Sequence, residues 1–325
     1  MILFAFLFSI AVAIVLFRDL FVIIMLSGIF SLVSASLFVM MDAADVAFTE
    51  AAVGAGISTL LLLKTLALTR RHAKPQKKRT WLALSIVTIT GGLLIYGTSD
   101  LPMYGSADAP AHQHLSVYYL EKSVEETGVP NVVTAILASY RGFDTMGELV
   151  VIFIAGIGVL SLIAPTSKAN LTSESFLHEH TVLRIVSKML IPLIMMFALY
   201  VQFHGDYGPG GGFQAGVIFA SAIILYSILF GPEAARTVMT DRVTRLLAAF
   251  GILLYAGTGF AAMAYGGAFL DYSFLRDEQV SGQLLGILLV ELGVGITVAA
   301  VMVRVFLEFD QRPFIKLPAL KEGDH

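Results

Sequence analysis

Long apolar runs with almost no charge constrain this chain more than any other feature. Nine can be marked, over residues 2–17, 20–41, 46–68, 81–97, 145–163, 182–202, 213–230, 246–265 and 284–306 of 325. Several exceed 18 residues, the length at which an uncharged run reads as a membrane-spanning helix. Lipid offers no partner for free backbone N–H and C=O groups, so each span must be helical. A β-barrel would instead alternate over short segments of about ten residues, and these runs do not alternate. Composition agrees: 14% of residues are charged, against about 25% in an ordinary soluble domain. The expected class is an all-α polytopic membrane protein of about nine helices.

Basic residues set the expected orientation. Arg70, Arg71, Lys74, Lys77, Lys78 and Arg79 crowd the connection between spans three and four. With that connection in the cytoplasm, alternation places 17 of the 21 basic residues on the cytoplasmic side and three (Lys122, Arg141 and Arg276) outside, with Lys64 inside a span. This bias predicts an outer N-terminus and a cytoplasmic C-terminus. The first run has no basic leader or small-residue cleavage site and is expected to remain as a helix. Connections divide the chain into a three-helix unit at 1–72, a two-helix unit with a long outer loop at 73–165, a four-helix unit at 166–310 and a cytoplasmic tail at 311–325. Within the long loop, Val132, Val133, Ile136, Leu137 and Tyr140 recur at helical spacing after Pro130. They predict a short amphipathic helix covering the bundle or lying on the membrane surface.

Ionisable groups inside spans face a protein interior or water and mark ion paths. Glu291 lies about seven residues into the last span among Gly286, Gly293 and Gly295. It is either an ion- or proton-handling group or a protonated carboxyl bonded to a neighbouring helix. Glu50 precedes Gly54 and Gly56, which admit a kink or π-bulge; an interfacial carboxylate reaching water is the plainer explanation. Lys64 is about 21 Å further along the same helix. It is expected to snorkel to the basic face, or, if turned inward, to act as a proton carrier. Glu148 fits a capping box with Thr145 as N-cap, and Asp144 adds charge at the positive end of that helix. His204 and Asp206 open the loop that contains Gly210, Gly211 and Gly212; they could bind protons or cations, although a hydrogen-bonded turn suffices. The glycines allow close backbone packing where two helices meet.

Other patterns exclude functions. Gly210, Gly212 and Ala215 match a dinucleotide glycine pattern only formally, with no preceding strand or βαβ unit. His112/His114 and His178/His180 supply two metal ligands each, and two do not make a site. Cysteine is absent, which removes disulfides, thiolate ligands and a Cys nucleophile. No catalytic triad or paired catalytic carboxylate emerges. The expectation is a transport subunit rather than an enzyme, without cofactor, bound metal or nucleic-acid partner.

Three blocks carry a resemblance. The stretch from Asp45 through Phe48-Thr49-Glu50 to Gly54-Ala55-Gly56 resembles the three-helix module ending the large A-type component of Mrp-type cation/proton antiporters. Asn131 to Leu137 and Arg141-Gly-Phe-Asp-Thr-Met-Gly-Glu148 resemble the module that follows it. His204-Gly205 through Pro209 and Phe213-Gln214 is similar to the B-type component. Together they cover nearly the whole chain, and the Arg-Gly-Phe-Asp-Thr block and the glycine loop are the specific parts.

The resemblance implies a multi-pass subunit of the bacterial plasma membrane, in a complex exchanging Na⁺ or another monovalent cation for H⁺. Its partners would be the other Mrp antiporter subunits, of the A, C, D, E, F and G types. It also implies kinship with the membrane subunits of hydrogenases and respiratory complex I. On this reading Glu50 and Glu291 alternate between protonated and cation-facing states. Two departures stand out: Ser139 replaces a carboxylate common before the Arg-Gly-Phe-Asp-Thr block, and Asp206 stands where a second His is common. The long antiporter-like domain of the A- and D-type components is missing, so the chain is expected to be one part of the machine. Competing roles are a non-transporting scaffold and a membrane subunit of a hydrogenase-like redox complex.

Overall fold

The computed structural model describes residues 1–73, 80–103, 105–162 and 181–310. Positions 74–79, His178, His180 and the tail from 311 lie outside the described residues.

The long helices are α1 (Ile2–Leu16), α2 (Leu20–Met40), α3 (Ala44–Ala67), α4 (Thr80–Thr98), α5 (Leu115–Thr127), α6 (Gly142–Leu162), α7 (Thr181–His204), α8 (Gly212–Phe230), α9 (Asp241–Ala264) and α10 (Gln279–Asp310). Among the described residues, eight of these are long and apolar enough to cross a membrane: α2, α3, α4 and α6 to α10. The first run forms a helix to within one residue of its expected end, but a short one. At 15 residues, α1 rises about 22 Å, less than the roughly 30 Å hydrocarbon core.

Helix α10 is the hub, packed against α8, α9, the turn Tyr272–Leu275, α6 and α5. Its crossing with α8 depends on a small-residue stripe, Gly212, Gly216 and Ala220, spaced four apart on one face. A Cβ at Gly216 would lie 2.6 Å from the carbonyl oxygen of Gly295. The two backbones therefore nearly touch, as small residues permit between helices in lipid. Apolar burial concentrates here, in Val217, Ile224, Ile287, Val290, Val298 and Leu307. By contrast, α1 and α4 bury no residue. Their apolar faces are open to lipid or neighbouring chains.

Among the described residues, two π-turns occur. In α3, Ala51–Ser58 is π-helical, as its glycines predict. The second, Ala135–Tyr140, follows a single α-turn at Val132–Thr134 and leads directly into α6. The segment expected as an amphipathic helix is thus a packed element, with Thr134, Ala135 and Ala138 buried. At its far edge, the hydroxyls of Tyr255 and Tyr272 donate to the carbonyls of Gly142 (2.7 Å) and Ala138 (3.0 Å). These two bonds tie the junction between the π-turn and α6 to α9 and to the turn before α10.

Candidate functional site

The glycine loop between α7 and α8 is fixed from three directions. Asn131 Nδ2 donates to the carbonyls of Gly205 (3.0 Å) and Gly208 (2.9 Å), and Thr134 Oγ1 donates to Gly205 (2.7 Å). Gly211 N–H returns to the carbonyl of Val201 at 3.1 Å. From α3, the Asp45 carboxylate accepts the Gly210 N–H at 3.0 Å. Gly211 has φ +118°, a conformation open to glycine and strained for other residues. Its α-carbon faces Glu291: a Cβ there would lie 3.2 Å from Oε1.

Beneath this loop lies a cavity of about 320 Å³. Asp45 of α3, Glu148 of α6 and Glu291 of α10 line it, with Tyr255 and Gln214. Three carboxylates from three widely separated stretches thus share one space. The charges that act on Glu291 are those of Asp206 and Asp45. Among the described residues no cation pairs with the Glu291 side chain, whose carboxyl lies beside the Gly211 backbone. Asp206 sits at the loop with its Oδ1 buried and without a donor. Burial pushes its carboxyl above the usual carboxylate range. Like charges in a space of low dielectric repel strongly, so the cluster is relieved by taking up a proton or a cation. No group of three His, Cys, Asp or Glu side chains among the described residues adopts a metal-holding arrangement.

The remaining expected residues divide. Glu148 is not an N-cap partner, because α6 begins at Gly142, three residues before Thr145. Thr145 Oγ1 instead donates to the carbonyl of Leu137 at 2.8 Å, and Asp144 pairs with Arg141 at 2.6 Å. The capping box is a sequence coincidence, and Glu148 turns to the cavity. Glu50 does not line the cavity; its neighbour Thr49 does. A Cβ at Gly54 would meet both Glu50 Oε1 (2.8 Å) and the Ser31 side chain, which places Glu50 on the α2 side of the bulge. Gly56 lies within the same π-turn.

Lys64 does not simply snorkel. It forms an ion pair with Asp310 at the end of α10, and Ser227 Oγ donates to the same carboxylate at 3.1 Å. Near that end Arg304 and Arg236 bridge Asp241 and Glu308. His204 stacks on Tyr200 with ring centroids 4.9 Å apart, and its carbonyl closes the turn onto Tyr207 and Gly208. The His204 backbone thus forms a hydrogen-bonded turn, and Asp206 Oδ1 is buried beside it without a donor.

Sequence reasoning missed Asp45, Asn131 and Tyr255 as site residues. Asp45 was visible five residues before Glu50 at the start of an apolar run. Nothing in the local sequence shows that its carboxylate meets a glycine loop 165 residues away.

Comparisons with known proteins place these elements in context. A domain related to the MnhB subunit of Na⁺/H⁺ antiporters matches residues 182–304. Residues 5–71 match the MbhD family of MBH subunits, and residues 84–175 match the MbhE family. A probable K⁺/H⁺ antiporter component of A/B type from Rhizobium meliloti (strain 1021) is 25% identical over 279 residues, which are 76% of this chain and 27% of that protein. The putative antiporter subunit mnhB2 of Staphylococcus aureus (strain Newman) is 36% identical over 130 residues, 39% of this chain and 91% of the relative. A chain of the Mrp complex from Dietzia sp. DQ12-45-1b superposes with TM-score 0.76 and 26% identity, covering 98% of this chain and 35% of that one. A chain of the membrane-bound sulfane sulfur reductase, an archaeal respiratory membrane complex, gives 0.57 and 27%, covering 72% and 99%. The chain therefore spans about a quarter to a third of its longer relatives and nearly all of its shorter ones.

Proposed function

The chain belongs to the MnhB-related family of Na⁺/H⁺ antiporter subunits, and from that premise we propose that it serves a multi-subunit monovalent cation/proton antiporter in a bacterial plasma membrane. Its partners are the other subunit types of an Mrp complex, and its ions are H⁺ and an alkali cation such as Na⁺. It performs no covalent chemistry; its work is to hold and release charge.

One observation carries this reading. Each of the three segments matched by separate family descriptions brings a carboxylate to the same cavity: Asp45 from 5–71, Glu148 from 84–175 and Glu291 from 182–304. A fusion that served only to scaffold has no need to aim three acids at one space, since unpaired ionisable groups at membrane depth cost several kcal/mol. Glu291 and Glu148 exchange protons for the cation, Asp45 couples the glycine loop to the bulged helix, and Asp206 tunes the field at the loop. Glu50, behind the bulge, and the Lys64–Asp310 pair respond to movement of α3 rather than touching the ion.

The test is antiport in membrane vesicles containing the assembled complex. Glu291→Gln and Glu148→Gln are each expected to lower exchange at least tenfold while the subunits still copurify. Retention of full exchange by both variants refutes the cavity as the ion path. A second reading, a membrane subunit of a redox-linked ion pump, is supported by the likeness to the sulfane sulfur reductase complex. Copurification of iron–sulfur proteins in place of antiporter subunits would establish it.

A further inference from the structure

A second, larger cavity lies at the same end of the bundle as the glycine loop, about 640 Å³ in volume and mostly polar. Glu126, Ser139, Tyr140, Asp271, Ser273 and Gln283 line it, and nothing in the proposed ion exchange uses them. The two cavities share a wall, the π-turn Ala135–Tyr140. Leu137 and Ala138 of this turn face the carboxylate cavity, whereas the next two residues, Ser139 and Tyr140, face the polar one. One helical turn therefore separates the two spaces.

The polar cavity carries an excess of negative charge. Lys122 is engaged by Glu125 at 3.1 Å, which leaves Glu126 and Asp271 to set the field. Glu126 accepts from the hydroxyls of Tyr118 (2.7 Å) and Tyr140, and these bonds hold its carboxyl below the usual range. It stays ionised beside the opening. Polar side chains continue along the wall: Ser139 Oγ donates to Gln283 Oε1 at 2.8 Å, Gln283 Nε2 donates to Ser273 Oγ at 3.3 Å, and Ser273 donates to Asp271. On the wall's far edge the hydroxyls of Tyr272 and Tyr255 converge at Gly142, where a Cβ would lie 3.2 Å from one and 3.6 Å from the other. Tyr255 itself lines the carboxylate cavity. Polar groups thus flank the partition on both sides.

We propose that the polar cavity is a vestibule that collects small hydrated cations, alkali ion or hydronium, and delivers them across the π-turn Ala135–Tyr140 to the carboxylate cavity. This deepens the antiporter reading and rests on it. Lys122 and Glu125 cancel, so Glu126 and Asp271 leave the cleft net negative, and a cleft of one net sign raises the local concentration of the opposite charge by about tenfold or more. The π-turn suits a partition because it packs less regularly than an α-helix, and such turns occur at functional positions.

The chain contains no cysteine, so a single Ser139→Cys substitution introduces its one thiol at the wall. In the assembled complex, this thiol is expected to react about tenfold faster with a small cationic methanethiosulfonate than with its anionic counterpart. Glu126→Gln is expected to reduce that preference severalfold, and the bulky adduct to block antiport. Kinetics of the Glu126→Gln complex separate the two cargoes: a raised KM for Na⁺ assigns the vestibule to the alkali ion, and a displaced pH midpoint assigns it to protons. Equal reaction with both reagents, no reaction at all, or full antiport by the modified complex overturns the proposal. A parallel Glu291→Gln measurement keeps the two ideas apart. If Glu291→Gln abolishes exchange while the Ser139→Cys adduct does not, the vestibule fails and the carboxylate site stands. If Glu291→Gln is harmless, the site itself fails.

Discussion

Gly216→Ala and Gly257→Ala make the same chemical change inside two long helices and are expected to act with opposite sign. At Gly216 the added methyl would sit 2.6 Å from the Gly295 carbonyl oxygen and 2.9 Å from Val298 Cβ. Neither atom can rotate away, because one is backbone and the other is attached to it. Ordinary contact needs 3.4 Å or more, so α8 and α10 must separate by roughly half an ångström to one ångström. Overpacking of this kind costs about 1–3 kcal/mol. At Gly257 on α9 nothing lies within 4 Å of the methyl position, and replacing glycine by alanine in a helix gains about 0.5–1 kcal/mol. The propensity gain is common to both helices, so the two variants should differ by the overpacking cost alone, about 1–3 kcal/mol, measured as the denaturation midpoints of the purified complex in one detergent. Transport should follow. Gly212, one turn before Gly216, packs against the Glu291 backbone, so a wider crossing shifts Glu291 from the loop and lowers antiport, while Gly257→Ala preserves it. If both variants move stability in the same direction, or differ by less than about 0.5 kcal/mol, the close α8–α10 crossing is not what positions Glu291.

Two further outcomes concern ion pairs and hydrogen bonds. Lys64→Met strands the largely buried Asp310 carboxylate and should cost about 2 kcal/mol, between the values for exposed and buried pairs; adding Asp310→Asn should recover most of it in the same denaturation assay. Glu126 has its carboxyl lowered by the two tyrosine hydroxyls, so its contribution to holding α5 on the π-turn is present above about pH 4.5 and is lost as pH falls through the lowered value. Hydrogen exchange across residues 115–140, corrected for intrinsic rates, should accelerate in that acid window. In the Glu126→Gln complex the acceleration should be absent.

The spans were legible because lipid leaves the backbone so few choices. A run such as Leu20–Met40 has no option but helix, and its apolar limits coincide with the helix ends to within a residue or two. Gly54 and Gly56 likewise announced an irregular turn, since glycine weakens the helix that contains it. The second π-turn gave no such signal, because Ala135 to Tyr140 contains no glycine or proline and its irregularity is sustained by distant tyrosines.

Local patterns misled where long-range contacts outweighed them. Thr145 and Glu148 have the spacing of a capping box, yet the Leu137 carbonyl takes the Thr145 hydroxyl and the helix starts a turn early. Lys64 found Asp310, and Asp45 found Gly210, pairings that no window of sequence contains. One-dimensional order fixed which residues would be costly in a membrane; packing fixed which of them would meet. The reason is physical: desolvation is a property of each residue and its immediate run, whereas a shared electrostatic field exists only after helices from distant parts of the chain have been brought to the same cavity.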